Sequence, residues 1–474
     1  MNEQEETRGA DLERGLPMVA RWEPEALAAE KEALSELATK GFGRRCRGYL
    51  SRIGPGWLQS ALTLGGGSAA ASLFAGAYLE YRLLWVQPVA MILGIIMLGA
   101  IAYQTLATGA RPFDALRRYT HPGLAWAWAI ASLAATVIWH FPQYSLAGDV
   151  GSMMGKALPG GGIDIPPWLV GLCILPLATC VTWSYGRSAR GIRMYERTLR
   201  YMVWGIVLAL LIVVIRQAAN INWGGVLRGY TTFHIPGQDD PRGVSVMIGA
   251  FGAAIGINMT FLFPYTLLAR GWGRAHHSLM RFDLVTGMFV PYALATSLMV
   301  IAAGSTIYGT DAVPAQGTGM SAVHAAQVLG GVMGPTIGQF IFGIGILGMA
   351  LSTITLHMLV SAFIVCEVLD WEPTGWRYRL GSLIPAVGVL GPVLWAHKPM
   401  WLPVATSAIC GLMLPLAYIG FWILHNRRAY LGDAKPTGTA ALGWNIGMGA
   451  AVLASLASAI YYLATTVWPK FFGG

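Results

Sequence analysis

A run of three glycines and a serine, Gly65 to Ser68, interrupts an apolar segment that is long enough to cross a membrane. The segment reads PGWLQSALTLGGGSAAASLFAGAYLEY from Pro55 to Tyr81. Each glycine costs a helix about 1 kcal/mol relative to alanine, and lipid offers no water to the backbone groups that a break frees. A break here is therefore stable only if it lines a cavity inside the protein, as in many secondary transporters. The alternative is a continuous helix whose small residues pack closely against a neighbour.

The composition of the chain indicates an integral membrane protein. Of its 474 residues, 55% are hydrophobic and only 12% are charged, whereas about a quarter of the residues of a soluble protein are charged. The five cysteines show neither paired nor metal-ligand spacing, so we expect small buried apolar residues rather than disulfides or a zinc site. They are Cys46, Cys173, Cys180, Cys366 and Cys410.

Eleven apolar segments are close to the roughly twenty residues that a helix needs to cross a bilayer. Numbered as spans 1 to 11, they cover residues 54–79, 83–107, 122–147, 166–184, 199–217, 243–269, 284–308, 335–368, 380–396, 401–425 and 441–467. We therefore predict an all-α integral membrane protein with eleven membrane helices.

Lysine and arginine are distributed unevenly between the loops. If the spans alternate in direction, 25 of the 32 Lys and Arg residues lie on the side of the amino terminus. Basic residues concentrate in cytoplasmic loops, so we expect a multi-pass protein of the cell membrane with its amino terminus in the cytoplasm and its carboxyl terminus outside. The net charge of +9 is then explained by the orientation of the chain in the membrane, and contact with anionic lipid is a second interpretation. This distribution argues against nucleic-acid binding.

The spans divide the chain into five regions. Residues 1–50 form a polar tail with a short amphipathic helix around Leu27 and Leu34, and the tail lacks the pattern of a signal peptide. We expect spans 1 to 5 over 51–217, an external loop over 218–242, and spans 6 to 10 over 243–427. Span 11 and an external carboxyl terminus then occupy 428–474.

Span 6 has a second weak point. Its middle carries Gly252, Gly256, Asn258, Thr260 and Pro264, and a proline inside a helix removes a backbone donor and clashes with the preceding turn. We therefore expect a kink or break near Pro264, although an ordinary proline-kinked membrane helix is the alternative. Broken helices five spans apart are the pattern of a five-plus-five inverted repeat, with both breaks at mid-membrane.

Several short stretches resemble the Nramp family of proton-coupled divalent-metal transporters. A Ser-Thr-Ile-Thr stretch lies in span 8, and a short helix is expected before it at 323–329. The other matches are Gly-Pro-Gly at 54–56, Ala-Gly at 75–76, Leu-Leu-Trp at 83–85, Leu-Pro-Leu at 414–416, Asn-Arg-Arg at 426–428 and Leu-Gly at 431–432. The resemblance implies a LeuT-type fold, a cytoplasmic amino terminus and alternating access.

The sequence departs from the family at the residues that bind metal. The family has an Asp-Pro-Gly-Asn break in span 1 and a Met-Pro-His break in span 6. Gly65 lies where the aspartate is expected and Ser68 where the asparagine is expected. In span 6 Met259 falls near the family methionine, with Asn258 as an equal candidate, and the histidine is absent.

The family's proton path has changed as well. Its Ala-Thr-Asp-X-X-Glu stretch in span 3 aligns with residues 135–140, so that Val137 and His140 replace the two carboxylates. Met413 in span 10 replaces a common glutamine. A titratable side chain deep in a membrane is costly and is by default a functional candidate, so His140 is our candidate for proton coupling. The alternative is a neutral histidine that is hydrogen-bonded between helices, which is also how we interpret His357.

We predict a substrate site where the two breaks meet, made of Gly65, Gly66, Gly67, Ser68, Gly256, Asn258, Met259 and Thr260. Manganese and iron sites ordinarily include an anionic oxygen, and magnesium requires one more strongly. The carboxylates of the spans, such as Asp283 and Glu367, lie toward helix ends. The amino ends of the half-helices add a positive field at such breaks, so we leave the identity of any bound metal open.

Three functions are compatible with this sequence. The first is a family-like secondary transporter of a divalent cation with a degenerate metal site. The second is a transporter of a non-metal polar or anionic solute on the same fold, and the third is a sensor or scaffold that does not transport. The expected partners are a small solute or ion and the lipid bilayer. We expect no resident cofactor. The sequence leaves the oligomeric state open, and a monomer is compatible with it. We find no phosphate loop, nucleophile motif or paired central carboxylates, so we do not expect an enzyme.

Overall fold

The computed structural model describes residues 23–160, 162–185, 189–237, 239–310, 323–326, 334–395 and 400–468. These residues form α-helices joined by short turns, with 3₁₀ turns at Arg274–His276, Ile384–Leu390 and Gly432–Ala434 and π turns at Leu284–Phe289 and Leu463–Val467. Residues 323–326 of the predicted short helix are helical, and the rest of that helix lies outside the described residues.

The α-helices are numbered along the chain. They are α1 (Pro24–Ala38), α2 (Phe42–Leu50), α3 (Pro55–Thr63), α4 (Gly66–Leu79), α5 (Val86–Thr108), α6 (Pro112–Tyr119), α7 (Pro122–Lys156), α8 (Pro167–Tyr185), α9 (Ala189–Arg216), α10 (Trp223–Thr231), α11 (Pro241–Ala254), α12 (Ile257–Ala269), α13 (His277–Asp283), α14 (Val290–Thr306), α15 (Pro335–Val368), α16 (Gly375–Leu383), α17 (Gly391–Leu394), α18 (Leu402–Gly411), α19 (Leu414–His425), α20 (Arg428–Leu431) and α21 (Gly438–Tyr462).

Ten of the predicted spans correspond to long apolar helical segments. Within the described part of the chain, nine segments are long and apolar enough to cross a membrane, and the bent pair α3–α4 makes a tenth. At the centre α7 packs along α15, α12 contacts both of these helices, and α3 contacts α12 and α15. The other half-helices, α4 and α11, pack against α14 and α18, respectively.

Span 9 is helical but irregular. It consists of α16, the 3₁₀ turn Ile384–Leu390 and α17, because Pro385 and Pro392 each remove a backbone donor from the segment. Gly388 and Gly391 bring its backbone against α7, where a Cβ atom on either glycine would collide with the main chain or Cβ of His140 and Phe141.

The break in span 1 lies at Leu64 and Gly65, between α3 and α4, which are inclined by 50° to each other. Gly65 has an extended backbone with φ −95° and ψ −172°, a conformation that any residue adopts. Close packing explains the glycines instead. A Cβ on Gly65 would collide with the Thr353 hydroxyl, and a Cβ on Gly67 would collide with the Trp139 ring. The segment thus combines the broken helix with the small-residue packing that was its alternative.

The break in span 6 lies at Ile255 and Gly256, both of which have extended backbones. The expectation of a break close to Pro264 is wrong in position, because α12 continues through this proline. Neighbouring groups inside a membrane protein can compensate for the donor that a proline removes. The break in span 6 therefore lies at the glycine and not at the proline.

Charged residues hold the amino-terminal end of α3, on the predicted cytoplasmic side. The Asp283 carboxylate accepts hydrogen bonds from the backbone N–H groups of Gly54 (3.2 Å) and Gly56 (2.7 Å). Close by, Arg270 forms a buried ion pair with Glu196 at 2.6 Å. An acceptor at a helix amino end replaces a missing cap and interacts favourably with the helix dipole. Asp283 therefore holds this end of span 1, and Arg270 also donates to the Arg52 carbonyl just before it.

Helix α1 docks against the same side of the bundle. Its Leu27 and Leu34 are buried, and Glu23 just before it accepts two hydrogen bonds from the Arg193 guanidinium of α9, at 2.7 and 3.0 Å. The hydrogen bonds from Arg193 hold the pKa of the Glu23 carboxyl below its usual value. The amphipathic segment of the tail is therefore an ordered part of the structure.

The cysteines are less buried than expected. Cys366 and Cys410 are buried, but Cys173 and Cys180 are exposed on α8 and Cys46 is half-buried. Apolar residues on the outside of a membrane bundle face lipid, so an apolar stretch does not imply burial within the protein.

We expect Gly388→Ala to lower the melting temperature of the purified protein. The new methyl group would press on the backbone of His140, and overpacking of this kind costs about 1–3 kcal/mol. Gly345→Ala in α15 is the control, because a Cβ at Gly345 meets open space. Thermal unfolding in detergent measures both variants, and equal melting temperatures would contradict the packing of span 9 on α7.

Candidate substrate site

The two helix breaks face one small cavity of about 30 Å³, which is room for roughly two water-sized particles. Span 1 and span 6 supply ten of the lining residues, and α7 and α15 supply four. They are Leu62, Thr63, Gly65, Gly67, Ser68, Gly252, Ala253, Gly256, Asn258, Met259, Trp139, Gln143, Thr353 and His357. In this conformation the cavity suits ions or very small solutes.

Six of the eight residues predicted for the site line this cavity: Gly65, Gly67, Ser68, Gly256, Asn258 and Met259. Gly66 lies beside it and donates its backbone N–H to Gln143 Oε1 at 3.1 Å. Thr260 is occupied elsewhere, because its hydroxyl accepts from Trp128 Nε1 at 2.9 Å and donates to the Ile257 carbonyl at 2.5 Å.

Eight residues that line the cavity were not in the predicted site: Leu62, Thr63, Gly252 and Ala253 on the broken spans, and four on the unbroken helices α7 and α15. Trp139 and Gln143 are four residues apart on α7, and Thr353 and His357 are four residues apart on α15. Residues at this spacing share one face of a helix. The Ser-Thr-Ile-Thr stretch already includes Thr353. The helical spacing of four residues could have identified His357 as its neighbour, but the sequence analysis did not use this signal.

Ser68 and Met259 stabilise the breaks from within. The Ser68 hydroxyl contacts the carbonyl oxygens of Thr63 at 2.5 Å and Gly65 at 3.2 Å. The Met259 sulfur accepts from the Thr63 hydroxyl at 3.3 Å and from the Gly256 backbone N–H at 3.4 Å. These bonds satisfy groups that the breaks free from helical pairing, and those of Met259 also join span 1 to span 6.

The cavity carries no formal negative charge from the residues that line it. Asp283 caps α3, and Glu367 forms an ion pair with Arg111 at 3.3 Å. Helices α4 and α12 both begin at the cavity, where Gly65 and Gly256 are their N-cap residues. The amino end of a helix carries about half a positive charge. Within the described residues there is also no cluster of three His, Cys, Asp or Glu side chains that could hold a metal.

His140 lies behind the cavity and contacts it through His357. Its Nε2 is 3.2 Å from the Ile354 carbonyl oxygen, so Nε2 carries a hydrogen. The two imidazole ring centres are 5.5 Å apart. Both side chains are buried, and neither Nδ1 has a hydrogen-bond partner among the residues that the structure describes. Two imidazoles thus follow each other from the cavity into the space between α7 and α15.

We expect Gly65→Ala to destabilise the protein because its Cβ would collide with the Thr353 hydroxyl. Thr353→Ala removes that oxygen, so the double variant should melt above the value that adding the two single effects gives. Contacting residues of this kind couple by about 0.5–3 kcal/mol. Additive melting shifts in this double-mutant cycle would contradict the contact, and Gly205→Ala, at an open position, is the control.

The amino-acid sequence matches a known protein family. The sequence model of the family described as "Natural resistance-associated macrophage protein-like" matches residues 56–465. The divalent metal cation transporter MntH of Burkholderia ambifaria is 23% identical over 414 residues, covering 85% of this chain and 87% of that protein. The metal transporter Nramp1 of Oryza sativa subsp. japonica is 24% identical, with coverage of 85% and 76%.

Solved structures share the fold. A mutant of the Eremococcus coleocola manganese transporter superimposes with a TM-score of 0.70 at 16% identity, covering 90% of this chain and 88% of that one. MhsT in complex with L-phenylalanine gives a TM-score of 0.57 at 16% identity, with coverage of 85% and 98%. The fold is therefore the all-α, LeuT-type membrane fold that the sequence predicts. Since the family match covers most of the chain, this protein belongs to the Nramp family.

Proposed function

We propose that this protein carries a divalent metal cation across the cell membrane by alternating access. The observation that supports this most directly is the ion-sized cavity between two broken helices, the arrangement in which many secondary transporters bind their substrates. Family membership and relatives described as divalent metal cation transporters support the same cargo. We propose transport rather than catalysis, with the metal as substrate and the bilayer as the surrounding partner.

We also propose the orientation and the repeat boundaries that the sequence predicts. The amino terminus and helix α1 then lie in the cytoplasm and the carboxyl terminus lies outside, as supported by the 25 of 32 basic residues on one side. Residues 51–217 and 243–427 form the two repeats, so each repeat begins with one broken span.

The residues proposed to hold the cation are Asn258 and Met259, with backbone carbonyl groups at the span 1 break. These are neutral oxygen ligands and one soft sulfur ligand. Magnesium relies on carboxylates and retained waters, whereas thioether ligands favour softer transition metals. We therefore expect the transition metals after manganese to bind most tightly, and manganese to bind in preference to magnesium.

His140 is the proposed group for proton coupling. It lies where the family has a carboxylate, and His357 separates it from the cavity. Histidine gains and loses a proton near neutral pH more readily than any other side chain. A proton on His140 would disfavour a cation in the cavity by charge repulsion. This repulsion would couple the transport of protons to the transport of metal ions.

A second candidate is transport of a small non-metal polar or anionic solute. Two helix amino ends and the absence of a lining carboxylate favour it. A sensor or scaffold without transport is the third, and a flux assay separates it from both.

We expect purified protein in liposomes to take up manganese, and Asn258→Ala and Met259→Leu to reduce the initial rate about tenfold or more. A tenfold loss of affinity corresponds to about 1.4 kcal/mol. Met299→Leu, a buried methionine of α14 outside the cavity, is the control. The same variants should lose the thermal stabilisation that manganese gives by binding the folded state. A small anionic or polar solute that stabilises the protein while manganese does not would support the second candidate.

We expect His140→Gln to abolish metal-driven acidification of the liposome lumen while leaving manganese-dependent thermal stabilisation in place. Glutamine keeps a donor for the Ile354 carbonyl but does not titrate. His425→Gln is the control, since His425 is a buried histidine that contacts Gln104 and not the cavity. Unchanged acidification by His140→Gln would show that the proton takes another route.

A further inference from the structure

Gln143 has an unused donor inside the membrane. Its side chain is fully buried on α7 and lines the cavity. The Gly66 N–H donates to one end of its amide at 3.1 Å, so that atom is Oε1 and the other is Nε2. Nε2 has no hydrogen-bond partner among the described residues. Leaving such a donor unpaired costs about 1–3 kcal/mol, which points to a ligand that accepts from it.

The amino end of α4, next to Gln143, also has backbone N–H groups that can donate to an acceptor. Helix α4 is 14 residues long, and Gly65 offers no side chain to cap it. The N–H groups of a first helical turn have no partner within the helix. Gly65 and Gly67 line the cavity, so this positive end of α4 borders the cavity, and anions bind readily at helix amino ends.

A divalent cation needs a counter-charge here. Unit charges a few ångströms apart interact far more strongly in a protein interior than in water, and the cation would lie near two positive helix ends. The lining residues supply no carboxylate, since Gly65 stands at the position of the family aspartate and Asp283 and Glu367 are bound elsewhere. The missing negative charge must therefore come from the medium if a dication is to bind tightly.

We propose that a small monovalent anion of halide size binds between the amino end of α4 and Gln143 Nε2, and serves as the counter-charge for the transported cation. This inference rests on the proposed function. The cavity has room for roughly two water-sized particles, so a halide and a metal ion fit together. A water molecule would satisfy Nε2 equally well but would bring no charge, and the two occupants therefore predict different ion dependence.

The test compares chloride with gluconate at constant ionic strength, because gluconate is too large for the cavity. We expect manganese uptake into liposomes to fall about tenfold or more in gluconate. We also expect chloride without metal to raise the melting temperature of the purified protein in a saturable way, with bromide acting similarly. Equal uptake and equal melting temperatures in the two media would overturn the inference.

Substitutions at Gln143 make the test specific. Gln143→Glu places a fixed carboxylate beside the cavity, so manganese uptake should persist in gluconate and chloride should no longer raise the melting temperature. Gln143→Leu should lose both chloride responses. Gln59→Leu is the matched control, because Gln59 is an equally buried glutamine with unpaired side-chain atoms that does not line the cavity, and it should keep both responses.

The outcomes separate the inference from the proposed function. Manganese uptake that is equally fast in chloride and gluconate, or a Gln143→Glu variant that still requires chloride, overturns the counter-anion and leaves metal transport intact. A saturable chloride shift that Gln143→Leu abolishes, without manganese uptake in either medium, supports the anion site and rejects metal transport. The melting curves of wild-type protein in the halide series decide the anion site even if a Gln143 variant fails to fold.

Discussion

Backbone groups freed by two helix breaks must find partners inside the protein, and the centre of this structure is organised around that requirement. Ser68 contacts the carbonyl groups across the span 1 break, and the Met259 sulfur joins the two broken spans. Gln143 of α7 accepts from the first N–H of α4. Because lipid cannot supply these partners, the helices that do so must stay close, and this brings α7 and α15 together around the cavity.

The same constraint explains which parts of the fold are readable in the sequence. Glycine clusters and apolar length predict the spans and the broken helix at Gly65, because backbone propensity and lipid solvation act locally. The close approach of Gly388 and Gly391 in span 9 to α7 was not predicted, because this contact joins residues far apart in sequence. The break in span 6 lies at Gly256 and not near Pro264, since the neighbours that compensate for a proline are also distant in the chain.

The site was predictable in part for the same reason. Glycines and small polar residues at the breaks indicate the cavity, and six of the predicted eight line it. Gln143 and His357 lie on unbroken helices, so only their spacing from Trp139 and Thr353 connects them with the site. Gly65 and His140 lie where the sequence analysis expects family carboxylates, and the chain has the family fold nonetheless. Architecture and selectivity are thus encoded by different residues.

The docked tail has a consequence for how salt affects the structure. Helix α1 is followed in the chain by α2 and then by α3, the first half of span 1. The Glu23–Arg193 pair holds the beginning of this segment against α9. Exposed pairs of this kind contribute at most about 1 kcal/mol and are screened by salt. The attachment of the tail to α9 therefore weakens as ionic strength rises.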